Sequence, residues 1–149
     1  MYGDTRVIRR LARTMQEQGE EIRAEADRLV GLADAVPWEG WAAHAMRLRA
    51  AERATVLRRT ACAHVEAAVA LERHAAEVDR LTALIAAVEA RVRALIAEAR
   101  ERLADLARRA LDGIPGLPVD PLDHRLDRFV PPPPGHRDWL DVDLPGVWR

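Results

Sequence analysis

The sequence contains no lysine, asparagine or serine, one cysteine, and only 4% aromatic residues. The absence of serine excludes a serine nucleophile, and a single cysteine excludes a disulfide within the chain. Alanine supplies much of the 49% of hydrophobic residues, so the composition favours narrow helix–helix contacts over a thick globular core. The net charge of −1 provides no general attraction for nucleic acid or for an anionic membrane.

Other chemical signals are also missing. No apolar run approaches the roughly 20 residues that a membrane span requires, and the N-terminus MYGDTRVIRR lacks the apolar stretch of a secretory signal. Cys62 and His64 are two residues apart and point to different sides of a helix, which makes a nucleophile–base pair improbable. No pair of histidines has metal-ligand spacing. We therefore expect no membrane insertion, no catalysis, no metal and no cofactor.

Apolar periodicity predicts a first helix over about residues 4–36. Pro37 ends this helix because it disfavours the helical conformation of the preceding Val36. The residues that recur once in each heptad are Ile8, Met15, Ile22, Leu29 and Val36.

The chain contains neither glycine nor proline between Trp41 and Asp112, and strong helix formers dominate that stretch. It predicts a second helix over about residues 41–112, ended by Gly113. The fold class is thus all-α: an antiparallel hairpin with a W-x-G turn at 37–40 and a very long, coiled-coil-like second helix. A soft break at residues 74–79, which would give a three-helix bundle, is the alternative.

Residues 113–149 differ in character, since eight of the nine prolines lie there, including PPPP at 131–134. This composition favours polyproline II conformation and predicts a tail separate from a hairpin domain of residues 1–112. Two interpretations stay open: a flexible end, or a segment that docks on the helices or on a partner. Docking would use Trp139, Leu140 and Trp148.

Opposite charges predict the register of the hairpin. A turn near Trp38–Gly40 pairs residue i with residue 77 − i, which lays an acidic block at 17–27 beside a basic block at 47–59. Exposed ion pairs contribute well under ~1 kcal/mol each, so these charges would select the register more than stabilise it. A phosphate-binding role for the arginines of residues 47–59 is the alternative, and it would make the chain a nucleic-acid binder.

The first helix covers the second only to about residue 73 in this register, and an apolar seam continues beyond it. A seam of this kind facing water would promote aggregation, so we expect it to bind a helical partner protein or a second copy of the chain. The alternative is packing within the chain after a break. The seam residues proposed to contact the partner are Leu81, Ile85, Val88, Val92, Leu95 and Leu106.

The turn carries half of the four tryptophans, as Trp38-Glu39-Gly40-Trp41. A W-x-G tripeptide between two amphipathic helices resembles the WXG superfamily of helical hairpins handled by type VII (ESX-type) secretion. The chain looks most like the longer actinobacterial variant that serves as an N-terminal secretion-signal domain. Further matching residues are the Gly3-Asp4-Thr5 start with Ile8, Leu11 and Ala12, and Ala42, Ala43, Ala45 and Met46 after the turn.

The resemblance implies a four-helix arrangement of two hairpins, and recognition by a secretion ATPase or a chaperone through Trp38, Gly40 and Trp41. A co-secreted effector is a further partner that it suggests. Family members often carry a Tyr-x-x-x-Asp/Glu export motif after the second helix, and here the corresponding place holds His74 and Val78. A partner could supply that motif. The expected location is cytoplasmic, or secreted through a type VII system.

Two alternatives accompany this reading. The indoles of Trp38 and Trp41 could simply plug the end of the bundle instead of contacting another protein. The chain as a whole could be a cytoplasmic coiled-coil scaffold or oligomerisation module without a role in secretion.

Overall fold

The computed structural model describes residues 4–113 and 118–148. Within these ranges the chain forms three α-helices and a short 3₁₀ helix, with no strand, which confirms the predicted all-α class. The elements are α1 (Thr5–Ala35), α2 (Trp41–Leu111), α3 (Pro121–Asp127) and the 3₁₀ helix (Arg137–Asp141). No helix in the described ranges is long and apolar enough to cross a bilayer.

The helix ends follow from local sequence. The Asp4 side chain accepts a hydrogen bond from the Arg6 backbone N–H at 3.0 Å and caps α1. At the other end, Val36 is extended before Pro37, so α1 stops at Ala35. Gly113 has a φ of +71° and its N–H donates to the Ala110 carbonyl, which closes the last turn of α2.

The second helix is continuous, so the considered break at residues 74–79 does not interrupt it. The described chain nevertheless divides into two compact units, residues 4–79 and residues 80–148. We call them the hairpin unit and the tail unit. This grouping differs from the predicted division into 1–112 and 113–149, because the C-terminal part of α2 packs with the tail. Gly3, which the sequence analysis matched to the start of the family, and residues 114–117 of the predicted tail lie outside the described residues.

Small residues hold the hairpin unit together. They recur once per heptad on both helices, where they let the two backbones approach closely. A Cβ placed on Gly19 would lie 3.1 Å from the Ala61 carbonyl oxygen and 3.1 Å from Val65 Cγ2. The buried small residues on these repeats are Ala12, Gly19, Ala26 and Ala33 on α1, with Ala54, Ala61, Ala68 and Ala75 on α2, and Ala43 and Ala50 are buried nearer the start of α2.

The larger apolar residues of the predicted α1 heptad repeat are less covered than the small ones. Ile8, Met15, Ile22 and Leu29 are only half-buried, whereas Ala26 is fully inaccessible to solvent. The helices thus meet along the small residues, and the larger side chains flank that contact. An apolar face therefore remains on the hairpin unit.

The register of the hairpin differs from the predicted one by one to two helical turns. The prediction placed residue 58 opposite Gly19, whereas Gly19 lies against Ala61 and Val65. The reason is the linker of residues 36–40 between the two helices, which begins with extended Val36. An extended residue advances the chain by about 3.3 Å and a helical residue by about 1.5 Å, so this linker places the start of α2 beyond the end of α1. The prediction assumed a compact turn.

The tail unit has its own core. Residues of α2 form one side of it, and α3 and the C-terminal segment form the other. The buried members are Ile85, Val88, Val92, Ile96, Ala99, Leu126, Trp139, Val142, Leu144 and Val147. The tail is therefore a docked segment, and not the flexible end that was the other interpretation.

We expect the Gly19→Leu variant to lose about 1–3 kcal/mol of unfolding free energy, because the new side chain would push the two helices apart. Gly31→Leu is the matched control in the same helix, since nothing lies within 4 Å of a Cβ at that position. It should gain up to about 0.8 kcal/mol from helix propensity. Urea unfolding followed by circular dichroism measures both, and equal effects at the two glycines would contradict the close helix contact.

Candidate functional site

The tip of the hairpin unit consists of the linker 36–40 and the first turn of α2. Gly40 has a φ of +100°, a conformation that residues with a side chain rarely adopt. Its carbonyl accepts the His44 N–H at 3.1 Å and so begins α2. Open space surrounds Gly40, so the glycine is required by the backbone conformation and not by crowding.

Arg47 fixes the linker to α2. One Nη2 group donates to the carbonyl oxygens of Val36 at 2.9 Å and Trp38 at 3.2 Å. These carbonyls follow the end of α1 and have no helical partner, so the half-buried guanidinium satisfies them. The linker thereby presents Trp38 in a defined position although its side chain is exposed.

Both indoles of the tip face solvent. Trp38 is 51% exposed and Trp41 is 86% exposed. Trp41 is almost entirely in solvent and therefore does not plug the end of the bundle, whereas Trp38 is covered by its own chain over about half of its surface. The three predicted recognition residues, Trp38, Gly40 and Trp41, lie together at the tip.

The basic block of residues 47–59 is only partly matched by the acidic block. Arg58 pairs with Asp27 at 2.7 Å, in the shifted register, where the prediction placed residue 50 opposite Asp27. Arg47 binds the linker carbonyls instead of an acid. Arg49 and Arg53 make no ion pair in the described residues, and they line a groove near the tip that the sequence analysis did not identify.

The predicted partner-binding seam is covered by the tail. Ile85, Val88 and Val92 are at most 4% exposed and belong to the core of the tail unit. The expectation that they contact a helical partner must therefore be corrected, because the chain's own tail occupies that face. Leu95 packs against this core half-buried, while Leu81 and Leu106 are half-buried outside it. The considered alternative of packing within the chain applies, but without a break in α2.

The three predicted docking residues of the tail differ in burial. Trp139 is 1% exposed, and its Nε1–H donates to the Pro133 carbonyl at 2.9 Å. Leu140 is half-buried against the core. Trp148 remains 51% exposed, although its Nε1–H donates to the Val142 carbonyl at 2.9 Å. Leu144 is buried in the same core. Leu126, Val142 and Val147 also anchor the tail, and the sequence analysis missed these three.

One buried carboxylate fastens α3 to α2. Asp123 is 3% exposed and accepts hydrogen bonds from Arg102, the shortest being 2.6 Å from Nη2. The bound guanidinium lowers the pKa of Asp123 below its ordinary value of 3.8. The pKa of this carboxyl group is thus lower in the folded state than in the unfolded state. The ionised group therefore stabilises the fold at a pH above its pKa in the unfolded state, and this contribution is lost as the pH falls through its pKa in the folded state.

Residues considered for chemistry or export do not cluster at the tip. The His64 Nδ1 lies 2.9 Å from the Thr60 carbonyl oxygen, and Cys62 is exposed. His74, at the place of the family's export tyrosine, is exposed on α2, and Val78 is half-buried.

Comparison with models of known protein families, with curated proteins and with solved structures gives no match.

Two tryptophans provide a matched test of this placement. We expect Trp139→Ala to lower the stability of the tail unit by about 3–5 kcal/mol, because it removes the largest buried side chain of that core. Trp41→Ala should change stability by no more than about 0.5 kcal/mol, because that indole is exposed. Urea unfolding monitored by circular dichroism measures both variants, and a large loss for Trp41→Ala would mean that the tip indole is packed.

Acidification provides a second test. In a background with Trp38→Phe and Trp41→Phe, emission reports on Trp139 and Trp148 in the tail unit. We expect acid to weaken the docked tail as the pH falls below about 4, and Asp123→Asn to weaken it at neutral pH and flatten this dependence. Asp127→Asn is the control on the same helix, since its pair with Arg100 is more exposed. A pH dependence unchanged by Asp123→Asn would contradict the role of this carboxylate.

Proposed function

We propose that this chain is a WXG-type helical hairpin of type VII secretion, acting either as a substrate or as an adaptor that pairs with one. The observation that carries the proposal is the pair of exposed indoles, Trp38 and Trp41, at the tip of the hairpin unit. The positive φ of Gly40 sets the backbone of this tip, and hydrogen bonds from Arg47 hold its linker. Aromatic side chains held in a fixed position are the groups that most often dominate binding between proteins.

The arrangement of the two helices also supports the proposal. An antiparallel pair with its W-x-G tripeptide at the turn is what the family resemblance implies for this sequence. The tripeptide is not buried in a core, so it is accessible to a secretion ATPase or a chaperone. The chain carries His74 instead of the export tyrosine, which favours the adaptor role with an export signal supplied by the partner.

The proposed helical partner, a different protein or a second copy, contacts the hairpin unit in this account. The tail covers the seam at Ile85, Val88 and Val92, so that surface is occupied. The hairpin unit leaves Ile8, Met15, Ile22 and Leu29 half-buried beside the small-residue contact. A second hairpin packed there would complete the four-helix arrangement that the resemblance implies.

Secretion assays test the proposal. We expect the protein in the culture supernatant, dependent on the secretion ATPase and on a co-expressed partner. Replacing both tip indoles, Trp38→Ala with Trp41→Ala, should reduce export about tenfold or more, as expected for removal of aromatic hot spots. Trp148→Ala is the matched control, because Trp148 is as exposed as Trp38 but lies in the tail unit.

Retention of the unaltered protein in the cell, even beside its co-expressed genomic neighbour, would contradict the proposal. It would favour the scaffold alternative. Equal loss of export from the tip variant and from Trp148→Ala would contradict the role of the tip.

A further inference from the structure

An apolar groove of about 380 Å³ lies between α1 and α2, close to the tip. Leu29 and Leu32 line it from α1 and Val36 from the linker, and Met46 lines it from α2 together with Arg49 and Arg53. Leu32 is 64% exposed, so the groove presents a large apolar side chain to water.

The groove results from the packing of the hairpin. Buried Ala33 and Ala50 stand between the two helices at this level. Because both side chains are short, they do not cover the neighbouring side chains of Leu32 and Met46, which line the solvent side of the groove. The same small residues that bring the helices together therefore also open the groove.

The charge at the rim of the groove is positive and uncompensated. Arg49 and Arg53 are one helical turn apart on α2, both exposed, and neither forms an ion pair in the described residues. The shifted register explains this, since it directs the acidic block of α1 toward Arg58 and beyond. Two cations beside an apolar floor fit a ligand that carries acidic and apolar side chains together.

We propose that this groove binds an amphipathic helix of another protein, with about two turns of apolar residues flanked by glutamate or aspartate. The inference rests on the proposed function, because it describes the chemistry of the partner that would bind at the tip. A phosphate backbone would leave Leu32 and Met46 uncovered. A symmetric dimer through this groove would place the arginine pairs of both copies, four positive charges, in one interface, which is unfavourable.

Fluorescence anisotropy with the full chain tests the proposal. The probe is a fluorescein-labelled, capped 18-residue helical peptide with leucine on one face and glutamate on both flanks. We expect saturable binding with a dissociation constant on the order of 10 µM at low salt. Replacing every glutamate of the peptide by lysine should abolish binding, and replacing its leucines by alanine should weaken it strongly.

Two pairs of protein variants locate the binding. Arg49→Glu with Arg53→Glu should weaken binding about tenfold or more, because attraction at the rim becomes repulsion. Arg59→Glu with Arg73→Glu is the control, since it makes the same change in net charge further along α2. Leu32→Ala should weaken binding about fivefold, whereas Leu48→Ala, an exposed leucine outside the groove, should not.

Equal weakening by both charge variants, or by both leucine variants, would overturn the proposal, as would the absence of saturable binding. Tighter binding of a labelled single-stranded oligonucleotide, with the same dependence on Arg49 and Arg53, would overturn it in favour of nucleic acid. Concentration-dependent dimerisation that Arg49→Glu with Arg53→Glu removes would assign the groove to a second copy. Peptide binding without any export would contradict the proposed function alone, and export dependent on the tip indoles without peptide binding would contradict the groove alone.

Discussion

The unequal length of the two main helices is the constraint on which the rest of the structure depends. The first helix has 31 residues and the second has 71, so α1 cannot cover the apolar residues of α2 along their whole course. Residues 80–111 of α2 still carry isoleucine and valine at helical spacing. Exposure of that surface would cost free energy in proportion to its area, and the tail supplies the cover.

As a result, most larger apolar residues of the tail unit are buried, whereas those of the hairpin unit are only partly covered. The tail unit buries the apolar residues of its core around Trp139, although Leu111, Val130 and Trp148 remain exposed. The ion pair of Arg102 with Asp123 joins α3 to α2. The hairpin unit packs through alanine and glycine, which draw the helices together but leave larger side chains half-covered. Its tip exposes two indoles and an apolar groove with a positive rim. The surfaces that we propose for a partner lie on the hairpin unit.

The sequence predicts the helices well because their signals are local. Heptad periodicity, Pro37 and Gly113 place every helix end of α1 and α2 within one residue of its observed position. The register could not be obtained in this way, since it depends on how far the extended linker carries the chain. The core of the tail unit was predicted only in part, through Trp139 and Leu140. Val142 and Val147 follow no helical period and flank Pro145, and Leu126 lies in a helix of only seven residues, so their packing against α2 is what identifies them.

The most direct test of this account is an NMR measurement of contacts between the Trp139 indole protons and the methyl groups of Ile85, Val88 and Val92. A mixture of isotope-labelled and unlabelled chains distinguishes contacts within one molecule from contacts between two. The account predicts contacts within one molecule that persist on dilution. Contacts seen only between molecules, or none between this indole and these methyl groups, would contradict the claim that the chain covers its own long helix.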